Sequence, residues 1–217
     1  MIRVIIADDH HLVRQGIRAL LERSDAFEVV GEAADGFEAV ALVKDHQPDI
    51  IILDIAMPRL DGVQATARIR SLTTRTQIII LSMHSKRKIA QRVLRQGAKG
   101  YLLKNAVKEE LLLAIEAVLR GETYLSPEIS TSILDNLWTL EKEAGTDDLA
   151  LLLSNREHEV LKLIVEGHTN NDIAEILHIS PKTVSKHRTN LMTKLGVHDV
   201  TGLMRVAIKE GLVFLDE

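Results

Sequence analysis

Four short apolar runs punctuate the first half of the chain, and each ends on a reactive or ionisable side chain. Val4-Ile5-Ile6-Ala7 runs into Asp8 and Asp9, Ile50-Ile51-Ile52-Leu53 into Asp54, Ile78-Ile79-Ile80-Leu81 into Ser82, and Tyr101-Leu102-Leu103 into Lys104. Continuous β-branched runs predict strands buried on both faces, as in a parallel sheet covered by helices. A further strand is read at Phe27–Gly31. Between these runs apolar residues recur at helical spacing: Leu12, Val13, Ile17, Leu20 and Leu21; Phe37, Val40, Ala41 and Val43; Val63, Ala67 and Ile69; Ile89, Val93 and Leu94. The last such face is Leu111, Leu112, Ile115, Val118 and Leu119, with Gly121 placed to stop its helix. Five alternating β and α units over residues 1–120 predict a doubly wound α/β domain with a parallel sheet.

Residues 121–150 break the alternation. Ser126-Pro127, an apolar helical patch (Ile129, Ile133, Leu134, Leu137, Trp138) and an acidic stretch from Glu141 to Asp148 read as a linker with a short helix. Over residues 151–217 only helical periodicity remains, predicting an all-α domain of four helices. Ser154 with Glu157 has the form of a capping box opening a helix that Gly167 ends. Thr169/Asn170 opens a second. Ser180 caps a third with Pro181 at its first position, and Gly196 closes it. A fourth runs from Val200 to about Lys209. Two short helices joined by a tight turn, the second basic, describe a helix-turn-helix.

The 217 residues are 46% hydrophobic and 27% charged, the balance of an ordinary soluble globular protein, with no apolar run long enough to span a membrane. The chain goes directly from Met1 into a strand without the features of a signal peptide, and it has no cysteine, which excludes disulfides and thiolate metal sites. A cytoplasmic location is expected. The net charge of −4 argues against a generally basic nucleic-acid binder, but it is unevenly spread. Residues 1–120 sum to +3, residues 121–150 to −6 and residues 151–217 to −1, while residues 181–195 carry four cations and no acid.

In parallel sheets ligands bind beyond the carboxyl ends of the strands. Asp8, Asp9, Asp54, Ser82 and Lys104 are therefore expected at one edge. Three carboxylates so close would repel, and a hard divalent cation, Mg²⁺, relieves that repulsion. Asp54 is the expected nucleophile toward phosphorus, Lys104 offsets charge on the transferring group, and Ser82 can hydrogen-bond a phosphoryl oxygen. Taken one at a time, each of these residues is more often a cap, a turn or a solvated side chain. The four runs ending together make coincidence a poor explanation.

These residues carry a resemblance. Residues 1–120 resemble the receiver domain of two-component response regulators, through Asp8-Asp9, Asp54, Met57-Pro58, Asp61-Gly62, Ser82, Tyr101 and Lys104. Residues 151–213 resemble the LuxR-type helix-turn-helix of the NarL/FixJ class, through Arg156-Glu157, Glu159-Val160, Gly167, Asn170, Ile173-Ala174, Ile179, Thr183-Val184, His187 and Lys194-Leu195. The first resemblance implies that Asp9, Asp54 and the backbone carbonyl of Ala56 hold Mg²⁺ with help from Asp8. It also implies that Asp54 accepts phosphate from a sensor histidine kinase, and that Ser82 and Tyr101 act as a switch pair.

On helix 181–195, Val184, Leu191 and Leu195 mark a buried face, leaving Lys182, Ser185, Lys186, Arg188 and Thr189 available to the major groove of double-stranded DNA. The second resemblance implies that Ser185, Lys186 and Thr189 face bases, and that Lys182, Thr183, His187 and Lys194 contact the backbone. It further implies that the last helix pairs two copies into a homodimer through Val200, Leu203, Met204 and Ala207. The function expected is a DNA-binding transcriptional response regulator and not an enzyme. Two alternatives stay open on sequence alone: an aspartate-nucleophile phosphatase, which would need an acid where Ala56 stands, and a protein-interaction module whose basic helix never meets DNA.

Overall fold

A computed structural model describes residues 1–139 and 153–209, which form two compact units. The first alternates strand and helix in the order β1 (Ile2–Ala7), α1 (His11–Leu21), β2 (Phe27–Ala33), α2 (Gly36–His46), β3 (Ile50–Asp54), α3 (Gly62–Leu72), β4 (Gln77–Ser82), α4 (Arg87–Arg95) and β5 (Gly100–Leu103). A single 3-10 turn, Lys104–Ala106, leads into α5 (Val107–Leu119), followed by β6 (Tyr124–Leu125) and α6 (Pro127–Thr139). All paired strands are parallel, and their order across the sheet is β2-β1-β3-β4-β5-β6. The winding reverses between β1 and β3, so their carboxyl ends flank the crevice where such folds bind ligands.

The apolar runs are buried because helices cover both faces of the sheet. Ile50–Leu53 and Ile78–Leu81 are fully excluded from solvent, as are Val4–Ala7. The amphipathic faces are narrower than their spacing suggests. Ile17 and Leu21 of α1 face the sheet, whereas Leu12, one turn nearer the N-terminus, is 85% exposed. In α5, Leu111, Ile115 and Val118 are buried while Leu112 and Leu119 lie on its flanks. Each helix touches the sheet along one line, so apolar residues beside that line stay wet.

The sheet carries one strand more than the five alternating units of the sequence reading. Tyr124 and Leu125 pair with Gly100 and Tyr101 along the outer edge of β5. A two-residue strand is too short to leave a periodic signature. α6 begins directly after it, with the Ser126 carbonyl accepting from the Ile129 and Ser130 N–H groups, and Ile129 is buried. Leu134, Leu137 and Trp138 belong to α6, but their side chains, like the acidic stretch Glu141–Asp148, lie outside the described residues.

The second unit contains α7 (Asn155–Val165), α8 (Asn170–Ile176), α9 (Pro181–Leu195) and α10 (Val200–Lys209). Ser154 and Thr169 each form a complete capping box, with Glu157 and Asp172, and Ser180 caps α9 through the Thr183 N–H. Gly196 ends α9 in the left-handed conformation, with φ of 64°. Val184 and Leu191 of α9, Ile173 of α8 and Leu203 of α10 are buried.

Candidate functional site

The carboxyl ends of β1 and β3 bring Asp8, Asp9 and Asp54 together as their strand positions require. One ligand atom from each, joined by one from His10, lies within 4.8 Å of the others. Lys104 enters from the end of β5, its Nζ 2.8 Å from Asp8 Oδ2 and 2.9 Å from Asp54 Oδ2. Asp8 and Asp54 are buried and Asp9 is partly open to solvent. The donor set is carboxylate oxygen at the mouth of a crevice, which suits a hard cation such as Mg²⁺.

Electrostatics follow from this geometry. Burial, reinforced by the negative charge of Asp8, pushes the Asp54 carboxyl up to about 7, while Lys104 and the Ala56 N–H pull the other way. Burial works against the Lys104 ammonium, but Asp54 and Asp8 outweigh it and hold that group above the usual lysine range.

Two residues of this site escaped the sequence reading. His10 places Nδ1 2.7 Å from Asp9 Oδ1, and its backbone N–H donates to Asp8 Oδ1 at 2.9 Å. Arg14, from α1, donates through Nη1 to the Asp8 carbonyl at 2.6 Å and is held by Glu32 of β2 at 3.2 Å. His10 had a signal, its adjacency to the acid pair. Arg14 looked like any solvated helix cation until the fold set it against Glu32.

Gly62 explains how β3 presents its aspartate. A Cβ at that position would lie 2.2 Å from the Asp54 carbonyl oxygen, so only glycine lets α3 start so close to the strand end. Asp61 caps that helix by accepting from the Gln64 N–H at 2.7 Å.

Ser82 and Tyr101 meet at one carbonyl. The Tyr101 hydroxyl donates to His84 O at 2.8 Å, and Ser82 Oγ donates to the same oxygen at 3.3 Å while accepting from the His84 N–H at 2.9 Å. Tyr101 is fully buried, and that burial pushes its hydroxyl up to about 12.

In the second unit, Lys182, Ser185, Lys186 and Thr189 are exposed along α9, and Thr183, His187 and Arg188 are half-buried. Arg188 Nη1 donates to Asn170 Oδ1 at 3.0 Å, and Asn170 Nδ2 donates to Ser185 Oγ at 3.1 Å, tying the start of α8 to α9. Lys194 sits 2.7 Å from Glu157 in an ion pair. The residues expected to pair two copies through α10 divide between the interior and the surface of this unit. Leu203 and Ala207 are fully buried, because α10 turns them toward α7 and spends them on the core. Val200 and Met204 are half-buried, and Thr201, Arg205 and Ile208 are exposed among the described side chains of that helix.

Comparison with known proteins agrees with this architecture. Residues 4–116 match the response regulator receiver domain, and residues 151–207 match the bacterial regulatory proteins of the luxR family. Over 214 residues the chain is 42% identical to the oxygen regulatory protein NreC of Staphylococcus haemolyticus (strain JCSC1435), covering 97% of this chain and 99% of the relative. The RcsB response regulator of Salmonella typhimurium, solved in a study of conformational dynamism for DNA interaction, is 31% identical with a TM-score of 0.56, over 96% of this chain and 98% of its own. A structure of two RcsB dimers bound to two parallel DNAs is likewise 31% identical, with a TM-score of 0.57 over 94% and 96% of the two chains. Among the described residues no helix is long and apolar enough to cross a membrane. With a receiver domain and a LuxR-type helix-turn-helix domain in one chain, this protein belongs to the NarL/FixJ family of two-component response regulators.

Proposed function

We propose that the protein is a cytoplasmic transcription regulator switched by Mg²⁺-dependent phosphorylation of Asp54 by a sensor histidine kinase. The observation that carries this reading is the Lys104 ammonium bridging Asp8 and Asp54 at 2.8 and 2.9 Å, beside an acid pair suited to a cation. Asp9, Asp54 and the Ala56 carbonyl would hold Mg²⁺, with Asp8 assisting, and the ion would supply charge neutralisation to the transferring group. A carboxylate oxygen of Asp54 attacks the phosphorus of a kinase phosphohistidine, the P–N bond breaks, and the imidazole leaves with the electron pair. Lys104 then pairs with the phosphoryl oxygens, and Ser82 turns its hydroxyl proton from the His84 carbonyl to donate to one of them. Tyr101, anchored on the His84 carbonyl, stays inward. The switch is thus a population shift stabilised by charge-assisted hydrogen bonds.

The output is binding to double-stranded promoter DNA through α9, with Ser185, Lys186 and Thr189 toward bases and Lys182, Thr183 and His187 toward phosphates. The dimers seen for RcsB on DNA support a homodimer as the bound form. Its contact on α10 then involves the exposed residues beside Val200 and Met204 and leaves Leu203 and Ala207 in the core.

Incubation with acetyl phosphate and Mg²⁺ tests the mechanism. The expected product is one added phosphoryl group, read by intact mass, absent in Asp54→Asn and absent with EDTA. Undiminished labelling of Asp54→Asn refutes the assignment.

A further inference from the structure

Ser126 stands where β6 gives way to α6, and it is 1% exposed. Its N–H donates to the Tyr101 carbonyl at 2.9 Å, the last backbone rung between β6 and β5. A parallel ladder would next offer the Ser126 carbonyl to the Leu103 N–H. That carbonyl is instead turned into α6, where it accepts from Ile129 at 2.9 Å and Ser130 at 3.0 Å. Pro127 is the first residue of that helix, and its fixed φ suits the turn into α6. A buried N–H left without a partner is costly, and here the side chain fills the gap. Ser126 Oγ accepts from the Leu103 N–H at 3.1 Å and donates its own hydrogen bond to Glu110 Oε2 of α5 at 2.6 Å.

The residue after Leu103 is Lys104, the cation of the phosphoacceptor site. Two residues before Leu103 is Tyr101, whose carbonyl Ser126 also holds. One buried hydroxyl thereby fixes the end of the strand that carries both groups, and the same residue starts α6.

We propose that Ser126, backed by Glu110, is a positioning residue of the phosphoacceptor site, holding the end of β5 that carries Lys104 and tying the first turn of α6 to the state of Asp54. This rests on the reading of Asp54 as the phosphoacceptor. Coupling of this kind is reciprocal, so it is visible from either end. Loss of the hydroxyl loosens Lys104, and phosphorylation in turn alters the hold on α6.

The test uses the full-length protein, acetyl phosphate with Mg²⁺, intact-mass labelling rates, and amide hydrogen exchange at Leu103, Ile129 and Ser130. In the unsubstituted protein, labelling changes the exchange rates of Ile129 and Ser130 several-fold. Ser126→Ala lowers the labelling rate about tenfold, the scale of one hydrogen bond that orients a charged group, and abolishes that exchange response. Ser126→Thr, which keeps the hydroxyl, restores both. Glu110→Gln gives intermediate values, and serves as the second variant should Ser126→Ala fold poorly. The proposal is overturned if the unsubstituted protein is labelled without any change at Ile129 and Ser130, or if Ser126→Ala labels and responds normally. Absence of labelling in the unsubstituted protein would instead remove the reading of Asp54.

Discussion

Lys194, in the last turn of α9, holds its ammonium 2.7 Å from the carboxylate of Glu157, in the first turn of α7. The same Glu157 oxygen accepts from the Ser154 N–H at 2.8 Å and the Ser154 hydroxyl at 2.9 Å. One buried carboxylate oxygen therefore caps α7 and ties it to α9. The resemblance to the LuxR-type helix-turn-helix implies a DNA-backbone contact for Lys194; the geometry gives it a structural duty in the free protein.

Replacing that lysine should weaken the helical unit. Lys194 is 39% exposed, so solvent screens the pair, and Lys194→Met is expected to cost about 1–2 kcal/mol. Burial works against charged Glu157, but Lys194 and Ser154 outweigh it and hold its carboxyl below the usual range. Stability from this group is then complete above the unfolded-state pKa, about 4.3, and is lost as pH falls through the lower folded value. Helical circular dichroism against temperature, between pH 3 and 7, should show that acid sensitivity in the unsubstituted protein and a flatter profile in Lys194→Met. Equal midpoints for both proteins at every pH would contradict the role assigned to the pair.

Asp54 has the opposite sign. Its folded value of about 7 lies above the unfolded one, so the metal-free folded state binds the extra proton. Stability falls as pH rises from about 4 to 7, and the full cost persists above 7. Asp54→Asn should therefore raise the metal-free unfolding midpoint at pH 8 and leave it nearly unchanged at pH 4. Mg²⁺ requires the carboxylate, so its apparent affinity should drop about tenfold between pH 8 and pH 6, with proton release on binding. Calorimetric titration in buffers of different ionisation enthalpy measures both quantities. A pH-independent affinity with no proton release would mean that Asp54 is already ionised without the metal.

Two glycines make a steric prediction of opposite outcomes. Gly62→Ala places a Cβ 2.2 Å from the Asp54 carbonyl oxygen and 2.9 Å from Ile55 Cα, both backbone atoms that cannot swing aside. The expected cost is about 2–3 kcal/mol, with weaker Mg²⁺ binding because the strand end must move. Gly16, inside α1, has nothing within 4 Å of a built Cβ, and Gly16→Ala should stabilise by roughly 0.5–1 kcal/mol. Urea unfolding of the two variants distinguishes them, and similar shifts in both would refute the steric account.

What the chain disclosed in advance follows from the range of the forces involved. Asp8, Asp9, Asp54, Ser82 and Lys104 each end an apolar run, and a parallel sheet delivers such ends to one edge, so the pocket was legible locally. The caps Ser154, Thr169 and Ser180 were legible for the same reason, since each acts within three residues. Ser126 was not, because its role depends on Leu103 and Glu110, which are close only once β6 lies on β5. Leu203 and Ala207 show a different limit. Periodicity marks an apolar face, but the same face suits an internal neighbour or a second copy, and packing against α7 decided for the core.

The exposed cations of α9 yield the last prediction. Lys182 and Lys186 are solvent-facing, and each phosphate contact made by such a group releases condensed counterions. Anisotropy titrations with a genomic fragment selected by binding, run over a range of KCl, should show the log–log salt slope fall by about 0.9 in Lys182→Ala, which removes one phosphate contact. Asn170→Ala should behave differently. Asn170 holds both Ser185 and Arg188 at about 3 Å, on the side of α9 that the proposed DNA complex would turn toward base edges. Its loss frees those side chains without removing a charge, so the slope stays constant while discrimination between the selected fragment and a scrambled one falls about tenfold, or 1.4 kcal/mol. An unchanged slope in Lys182→Ala would take the start of α9 off the phosphate backbone, and an unchanged discrimination in Asn170→Ala would leave base reading to the residues that Asn170 does not touch.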